Sequence, residues 1–404
     1  MLLQLCCQRV EKCLMRKVVF ITGTRADFGK LKPLIQASLD RKELETHVYV
    51  SGMHLLKTYG NTYREILRED YPNVRLQKNR CDTPYMDLNL ARLTEDLSAY
   101  IREIQPDLIV VHGDRIDAMA GAIVAMLNGI RLGHVEGGEV TGTVDEAIRH
   151  AISKMANVHF VANSESFLRL RQMGEDERNI FVIGSPDIDV MLSDELPELD
   201  AVKQKYQIPF REYAVLIHHP VTSELDRLAG DIQNIMRALE QSGDDFIAIY
   251  PNNDSGTKQI LSCYARYQNS AHFRFFPSLP FEVFLTFLKN AKYIVGNSSC
   301  GVREACVYGV PAIDIGTRQK NRYAPELLPN IQHVEADTAE VLRAIADTSA
   351  YRVATSYFGD GHSAERFGQL LKEEKIWNTR VQKCFLDAEE TKRAIQVYHN
   401  EVCF

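Results

Sequence analysis

Apolar and polar positions along the chain follow two alternating rhythms. Short β-branched runs recur at Val18–Thr22, His47–Val50, Leu108–Val111, Leu132–Val135, Val158–Ala162 and Ile180–Ile183. Between them lie stretches with helical spacing, from Gly29 to about Leu39, then Ile116–Leu127, Val144–Ala156 and Glu165–Met173. Strands separated by helix-length segments predict βαβ units and a parallel sheet. After Ser185-Pro186 a polar, proline-punctuated stretch, Ser193 to Pro209, reads as a connection between domains. A second series follows, with strand runs at Tyr213–Ile217, Phe246–Tyr250, Phe273–Phe275, Tyr293–Val295, Ala312–Ile315 and Ile331–Val334. The tail from Ser363 to Glu374 has helical spacing, and the segment beyond Trp377 is amphipathic. The expectation is α/β: two consecutive doubly wound domains, 16–190 and 210–355, followed by helices over 356–404. Open parallel sheets bind ligands outside the carboxyl ends of their strands, so two such domains are expected to face a shared cleft.

Composition narrows the function classes. The 404 residues, 45% hydrophobic and 25% charged, supply enough apolar material for two cores. A net charge of −7 argues against nucleic acid as a partner, which calls for a basic face. No apolar run approaches the roughly 18 residues that a membrane span requires, and Gln8, Arg9, Glu11 and Lys12 break up the amino-terminal apolar residues too early for a signal peptide. Nine cysteines without a CxxC pair fit a reduced, cytoplasmic compartment. Residues 1–15, ahead of Arg16-Lys17-Val18, are expected to form a disordered leader.

Several strand ends carry unusual polarity. Gly23-Thr24-Arg25 follows the first run and leads into a helix. Its glycine permits a tight turn, the helix amino end offers N–H groups to an anion, and Arg25 can add a charge-assisted bond to phosphate. The string is not GxGxxG, which disfavours a nicotinamide dinucleotide; an Arg25–Asp27 pair on a solvated loop is the alternative. His112-Gly113-Asp114-Arg115 closes the run Leu108–Val111, where Asp114 is either a helix cap or a crevice carboxylate. Glu136, in His134–Glu139, ends the next strand and is expected beside Asp114, the usual provision for paired acid–base work. Asp145 and Glu146 open a helix, where the helix dipole alone would also favour them.

The second domain has its own polar strand ends. His218-His219-Pro220 follows its first strand; neighbours on a strand point to opposite faces, so a two-histidine metal site is disfavoured. His219 is the one expected to face the crevice, a structural histidine being the alternative. Gly296–Gly301 is rich in small residues and hydroxyls that can surround a diphosphate, with Ser298 or Ser299 as a simple cap otherwise. Glu304, one turn on, can reach ribose hydroxyls, whereas Cys300 lacks a histidine partner in its motif and is disfavoured as a nucleophile.

Taken in order, GTRADFGKLKP, HGDR, HVEGGEVTGTVDEAIRH, HHPVT, YPNND, GNSSCGVREA and IGTRQ resemble the hydrolysing UDP-N-acetylglucosamine 2-epimerases of sialic acid biosynthesis. The resemblance runs from about Lys17 into Gly359-Asp360-Gly361. It implies two Rossmann-like domains of the glycosyltransferase-B type, with the last helices returning to the first domain. It also implies conversion of UDP-N-acetylglucosamine and water to N-acetylmannosamine and UDP without metal or redox cofactor, in a homodimer or homotetramer. By position it implies that Asp114, Glu136 and Asp145 are catalytic carboxylates and His219 the catalytic-site histidine. Gly23, Arg25, Asn253, Ser298, Ser299 and Glu304 are implied as substrate contacts, Arg25 and the serines on phosphate and Glu304 on ribose. Non-hydrolysing relatives carry GHR-type residues in place of His218-His219-Pro220 and EAGLRTGD-like residues in place of EGGEVTGTVD, so both strings favour the hydrolysing branch. Three rivals stand beside this reading: the same chemistry on a UDP-diacetamido-trideoxy sugar, a UDP-sugar glycosyltransferase, and a non-catalytic nucleotide-sugar sensor.

Overall fold

The computed structural model describes residues 15–404 apart from 58–59, 79–82, 84, 141–143, 253, 321–322, 388–390, 394 and 397–404. The expected leader therefore lies, but for Met15, outside the described residues, as does Asn253. The chain divides into two compact units. One takes the chain up to Asp189 and again from His362 onward; the other is Val190–Gly361.

The first unit contains β1 (Arg16–Thr22), β2 (Leu44–Val50), β3 (Val74–Leu76), β4 (Leu108–His112), β5 (Arg131–Val135), β6 (Val158–Val161) and β7 (Ile180–Val182). They form one parallel sheet in the order β3-β2-β1-β4-β5-β6-β7. β1 shows why its sequence is a near-continuous apolar run: Val18 and Phe20 enter the core on one face, Val19 and Ile21 the core on the other. A strand covered on both faces has no polar side to display. Phe367, in the returning helix Ser363–Leu370, packs edge-on against Phe20 and Phe160, centroids 6.1 and 4.9 Å away. The second unit holds β8 (Ala214–Ile217), β9 (Phe246–Ile249), β10 (Phe273–Phe276), β11 (Ile294–Gly296), β12 (Ala312–Ile315) and β13 (Ile331–Val334), parallel in the order β10-β9-β8-β11-β12-β13. Both sheets are doubly wound, as the sequence pattern predicts.

The differences are local. Helix Arg25–Leu39 begins four residues before the expected Gly29, because Thr24 and Asp27 form a reciprocal capping box. β3 and the helix Met86–Ile104 go beyond the expected set; β3 is a three-residue edge strand with no position fully buried, too short to show a period. The stretch 193–209 is not a bare connection: it carries the helix Leu199–Lys205, with Val202 buried, and belongs to the second unit. Among the described residues no helix is long and apolar enough to cross a membrane.

Candidate functional site

In each sheet the strand order reverses beside its first strand, between β1 and β4 in one unit and β8 and β11 in the other. Loops leaving two strands in opposite directions open a crevice there, the general ligand position of such sheets. Gly23 to Arg25 follow β1 and Asp114 follows β4, Glu136 follows the neighbouring β5, and His219 and Ser298 follow β8 and β11.

In the first unit, β1 ends in Thr22-Gly23-Thr24. The Asp27 carboxylate accepts hydrogen bonds from the Gly23 and Thr24 amides at 3.0 and 2.9 Å and from Thr22 Oγ1 at 2.8 Å. The amides expected to cradle an anion are thus already engaged, since the capping box that starts the helix early consumes them. Arg25 is not paired with Asp27; as the first helical residue it meets Glu65, Nε to Oε2 3.1 Å. Gly23 is required for space: a Cβ there would lie 2.1 Å from Cγ of Asp117. Asp117 is 4% exposed, takes a 2.6 Å bond from Ser51 Oγ, and burial pushes its carboxyl up to about 6.

Asp114 follows β4 but is not the cap of the next helix; Arg115 occupies the N-cap position without a side-chain bond. The Asp114 carboxylate instead receives Nη2 of Arg149, whose Nη1 donates to the backbone carbonyl of Glu136 at 2.9 Å and to Glu139 at 3.3 Å. Arg149 thereby ties together the loops after β4 and β5. Asp145 stands four residues earlier on the same helix, Val144–Met155, and i,i+4 spacing puts it on the same face as Arg149. His134 is structural: buried, with its imidazole pushed down to about 3 by burial, it bonds the Gly113 carbonyl (2.8 Å) and Ser153 Oγ (3.0 Å), holding the turn before Asp114.

Glu136 is the most constrained of the acids. Its φ of +58° is left-handed, a conformation that costs a non-glycine residue energy and clusters at functional sites. Its amide is pinned to the Phe160 carbonyl at 2.9 Å. Its carboxylate, 4% exposed, meets Lys30 Nζ at 2.8 Å from both oxygens, His112 Nε2 at 3.0 Å, and Ser185 Oγ. Lys30 also lies 3.3 Å from Asp187. Lys30, His112, Arg149, Ser185 and Asp187 escape sequence reasoning as site residues. Lys30 meets a partner 106 positions away, and nothing local in a helical lysine announces that. Arg149, inside the VDEAIRH string, had a legible signal.

In the second unit, His218 is buried, while His219 is partly exposed and pushed down to about 4, by burial first and then by nearby Arg318. His219 Nδ1 accepts from the Asn252 amide at 3.0 Å, which leaves the ring's other nitrogen as the donor. Asn297 clamps its backbone from both sides, accepting its N–H at 2.7 Å and donating to its carbonyl at 2.8 Å. Gly296, φ +132°, allows this approach; a Cβ would sit 2.0 Å from the Ile217 carbonyl oxygen. Ser298 caps the short turn Ser299–Gly301, and Glu304 begins the helix Glu304–Tyr308. Burial raises the Cys300 thiol well above its ordinary range, so it is a poor nucleophile. Arg318 and Gln319, from the loop after β12, donate to the Asn297 carbonyl at 3.1 and 2.8 Å and bring a cation to this strand end. Among the described residues no cluster of His, Cys, Asp and Glu has the makings of a metal site.

Comparison with known proteins gives a concordant result. Residues 37–372 match the family model described as UDP-N-acetylglucosamine 2-epimerase. A UDP-N-acetylglucosamine 2-epimerase of Neisseria meningitidis is 45% identical, covering 92% of this chain and 99% of the relative. The hydrolysing UDP-N,N'-diacetylbacillosamine 2-epimerase of Legionella pneumophila is 31% identical over 92% of this chain and 99% of its own. A solved UDP-GlcNAc 2-epimerase from Neisseria meningitidis, bound to UDP-GlcNAc, superposes with a TM-score of 0.76 at 18% identity, covering 88% of this chain and all of that one, a likeness of fold. The motifs, the two doubly wound sheets and these matches agree: the chain belongs to the UDP-N-acetylglucosamine 2-epimerase family.

Proposed function

We propose that the protein is a hydrolysing UDP-N-acetylglucosamine 2-epimerase, converting UDP-N-acetylglucosamine and water to N-acetylmannosamine and UDP, and thereby supplying sialic acid biosynthesis in the cytoplasm. The observation that carries the reading is the pair of acids at the carboxyl ends of β4 and β5: Glu136 held by Lys30 and His112, and Asp114 held by Arg149. The hydrogen on C2 of the sugar is not adjacent to a carbonyl, so a carboxylate cannot remove it from the resting substrate. As the C1–O bond to UDP breaks, its electron pair leaves with the diphosphate and positive charge builds at C1, which acidifies C2–H. A carboxylate then takes that proton and a C1=C2 double bond forms. Water adds at C1, and a proton delivered to C2 from the opposite face inverts that centre.

In this division of labour Arg25, Ser298, Ser299 and Arg318 meet the departing diphosphate, Glu304 and Asn253 the nucleoside, and Asp114, Glu136 and Asp145 the sugar. His219, neutral and carrying its proton on Nε2, can donate a hydrogen bond to a phosphoryl oxygen. One aimed donor of this kind is worth about 3 kcal/mol of transition-state stabilisation, and one acid or base roughly 10²–10⁴-fold. An NMR time course in deuterated water tests the proposal. The N-acetylmannosamine formed should carry deuterium at C2. Protium retained there means that the C2 proton is not exchanged through an elimination, and release of N-acetylglucosamine with protium at C2 means direct glycoside hydrolysis; either result defeats the mechanism. A second reading is favoured by the Legionella relative, namely the same steps on a UDP-diacetamido-trideoxy sugar. Turnover of each sugar nucleotide under identical conditions separates the two.

A further inference from the structure

The first unit has a polar cavity at the opposite end of its strands from Asp114 and Glu136. Asn157 and His159 stand at the amino end of β6, whereas Asp114 and Glu136 follow the carboxyl ends of β4 and β5. The tail after Trp377 runs across this end and is held there: Arg131 Nε donates to the Thr379 carbonyl at 3.0 Å, and Asn157 Nδ2 to those of Arg380 and Val381 at 3.1 and 2.8 Å. Lys383 Nζ reaches the Ala156 carbonyl at 2.7 Å and the carboxylate of Glu175. Between the tail and the turn Gly174–Asn179 lies a cavity of about 490 Å³, within the range of small-molecule sites.

Its lining is cationic on a protein whose net charge is −7. Arg178, Lys375, Arg380 and Lys383 line it against two carboxylates, Glu175 and Asp176. Glu175 is already taken up by Lys383, Lys154 and His159, and Asp176 by Arg178. Arg380 has no ion pair among the described residues. His159 also lines the cavity, is 1% exposed, and sets Nε2 3.1 Å from Glu175 while its Nδ1 has no hydrogen-bond partner among the described residues. That nitrogen has almost no accessible surface, so His159 belongs to the buried wall behind Glu175 rather than to the open part of the cavity. Docking of the tail explains the bonded carbonyls and the Glu175 cluster; it explains neither the open volume nor the excess of cations around it.

We propose that this cavity binds a small anion, with a phosphate or carboxylate against Arg380 and Lys375. The inference does not rest on the proposed activity, and its test uses protein without nucleotide. Trp377, the only tryptophan of the chain, adjoins the lining residues Asn378 and Thr379, so its fluorescence reports occupancy. Citrate, ribose 5-phosphate and neutral ribose would be titrated against the full chain, with calorimetry as a second readout. At least one of the two anions should half-saturate at or below about 1 mM, ribose should not bind, and which anion binds tells carboxylate from phosphate. Arg380→Glu, at an exposed position, should weaken binding at least tenfold, with Arg380→Gln intermediate and Lys42→Glu, elsewhere on the same unit, without effect. Failure of both anions to bind, or equal affinity in Arg380→Glu and Lys42→Glu, overturns the proposal.

Discussion

Replacing Glu136 by glutamine removes one charge from a pair that is nearly out of water. Lys30 Nζ lies 2.8 Å from the carboxylate, and the two side chains are 18% and 4% exposed. At that separation an effective dielectric of about 20 gives a gross attraction of roughly 6 kcal/mol, most of which offsets the loss of hydration. Breaking a buried pair by removing one partner costs about 3–5 kcal/mol, because the other charge stays behind. Lys30 is only partly buried and keeps Asp187 at 3.3 Å, so the cost falls to or just below the lower end of that range, about 2–3 kcal/mol. The glutamine amide would also set N–H groups against the ammonium. Urea unfolding followed by Trp377, which is packed in the core of this unit, reads the change directly. Lys30→Gln should cost a similar amount, and the double variant should lose at least about 1 kcal/mol less than the two singles combined. Single losses below about 0.5 kcal/mol, or strict additivity, would refute the view that this pair holds the carboxylate. Turnover of UDP-N-acetylglucosamine by Glu136→Gln should fall at least about a hundredfold.

Asp114→Asn should leave UDP affinity within about twofold, by calorimetry, while turnover falls by roughly two decades. Arg25→Ala should weaken UDP binding at least about tenfold with little change in stability, since its ion pair with Glu65 is exposed and such pairs contribute about 0–1 kcal/mol. The Asp117 carboxyl, pushed up to about 6 in the fold from an ordinary 3.8, favours the native state while protonated. That contribution is present in full below about pH 4 and lost as pH rises through 6. Unfolding free energies measured between pH 4 and 7 should therefore move in favour of Asp117→Asn over the native chain by on the order of 3 kcal/mol. A constant gap across that range would show that the Asp117 carboxyl is not shifted.

The left-handed backbone at Glu136 explains part of the site's geometry. A strand that ran straight past Val135 would continue its pleat; the turn at Glu136 instead swings the carboxylate toward Lys30, while its amide remains tied to Phe160. Glycine would adopt that backbone more readily, yet glycine carries no acid.

By itself the sequence determined the two parallel sheets and the strand ends on which the polar residues stand. Strands buried on both faces must be written as short apolar runs, and doubly wound topology makes the residue after each run a crevice residue. Asp114, Glu136, His219 and Ser298 were legible for that reason. Only the tertiary structure decided what each group touches. Glu136 meets Lys30 across 106 positions of sequence, Arg149 joins two loops that no spacing rule connects, and Asp27 consumes amides that the loop after β1 would otherwise offer an anion. Periodicity records which side of an element is buried, because burial acts on each residue through its own neighbours in the chain. Ion pairing and hydrogen bonding between distant loops act through space and leave no mark on that pattern until the sheet has brought the strand ends together.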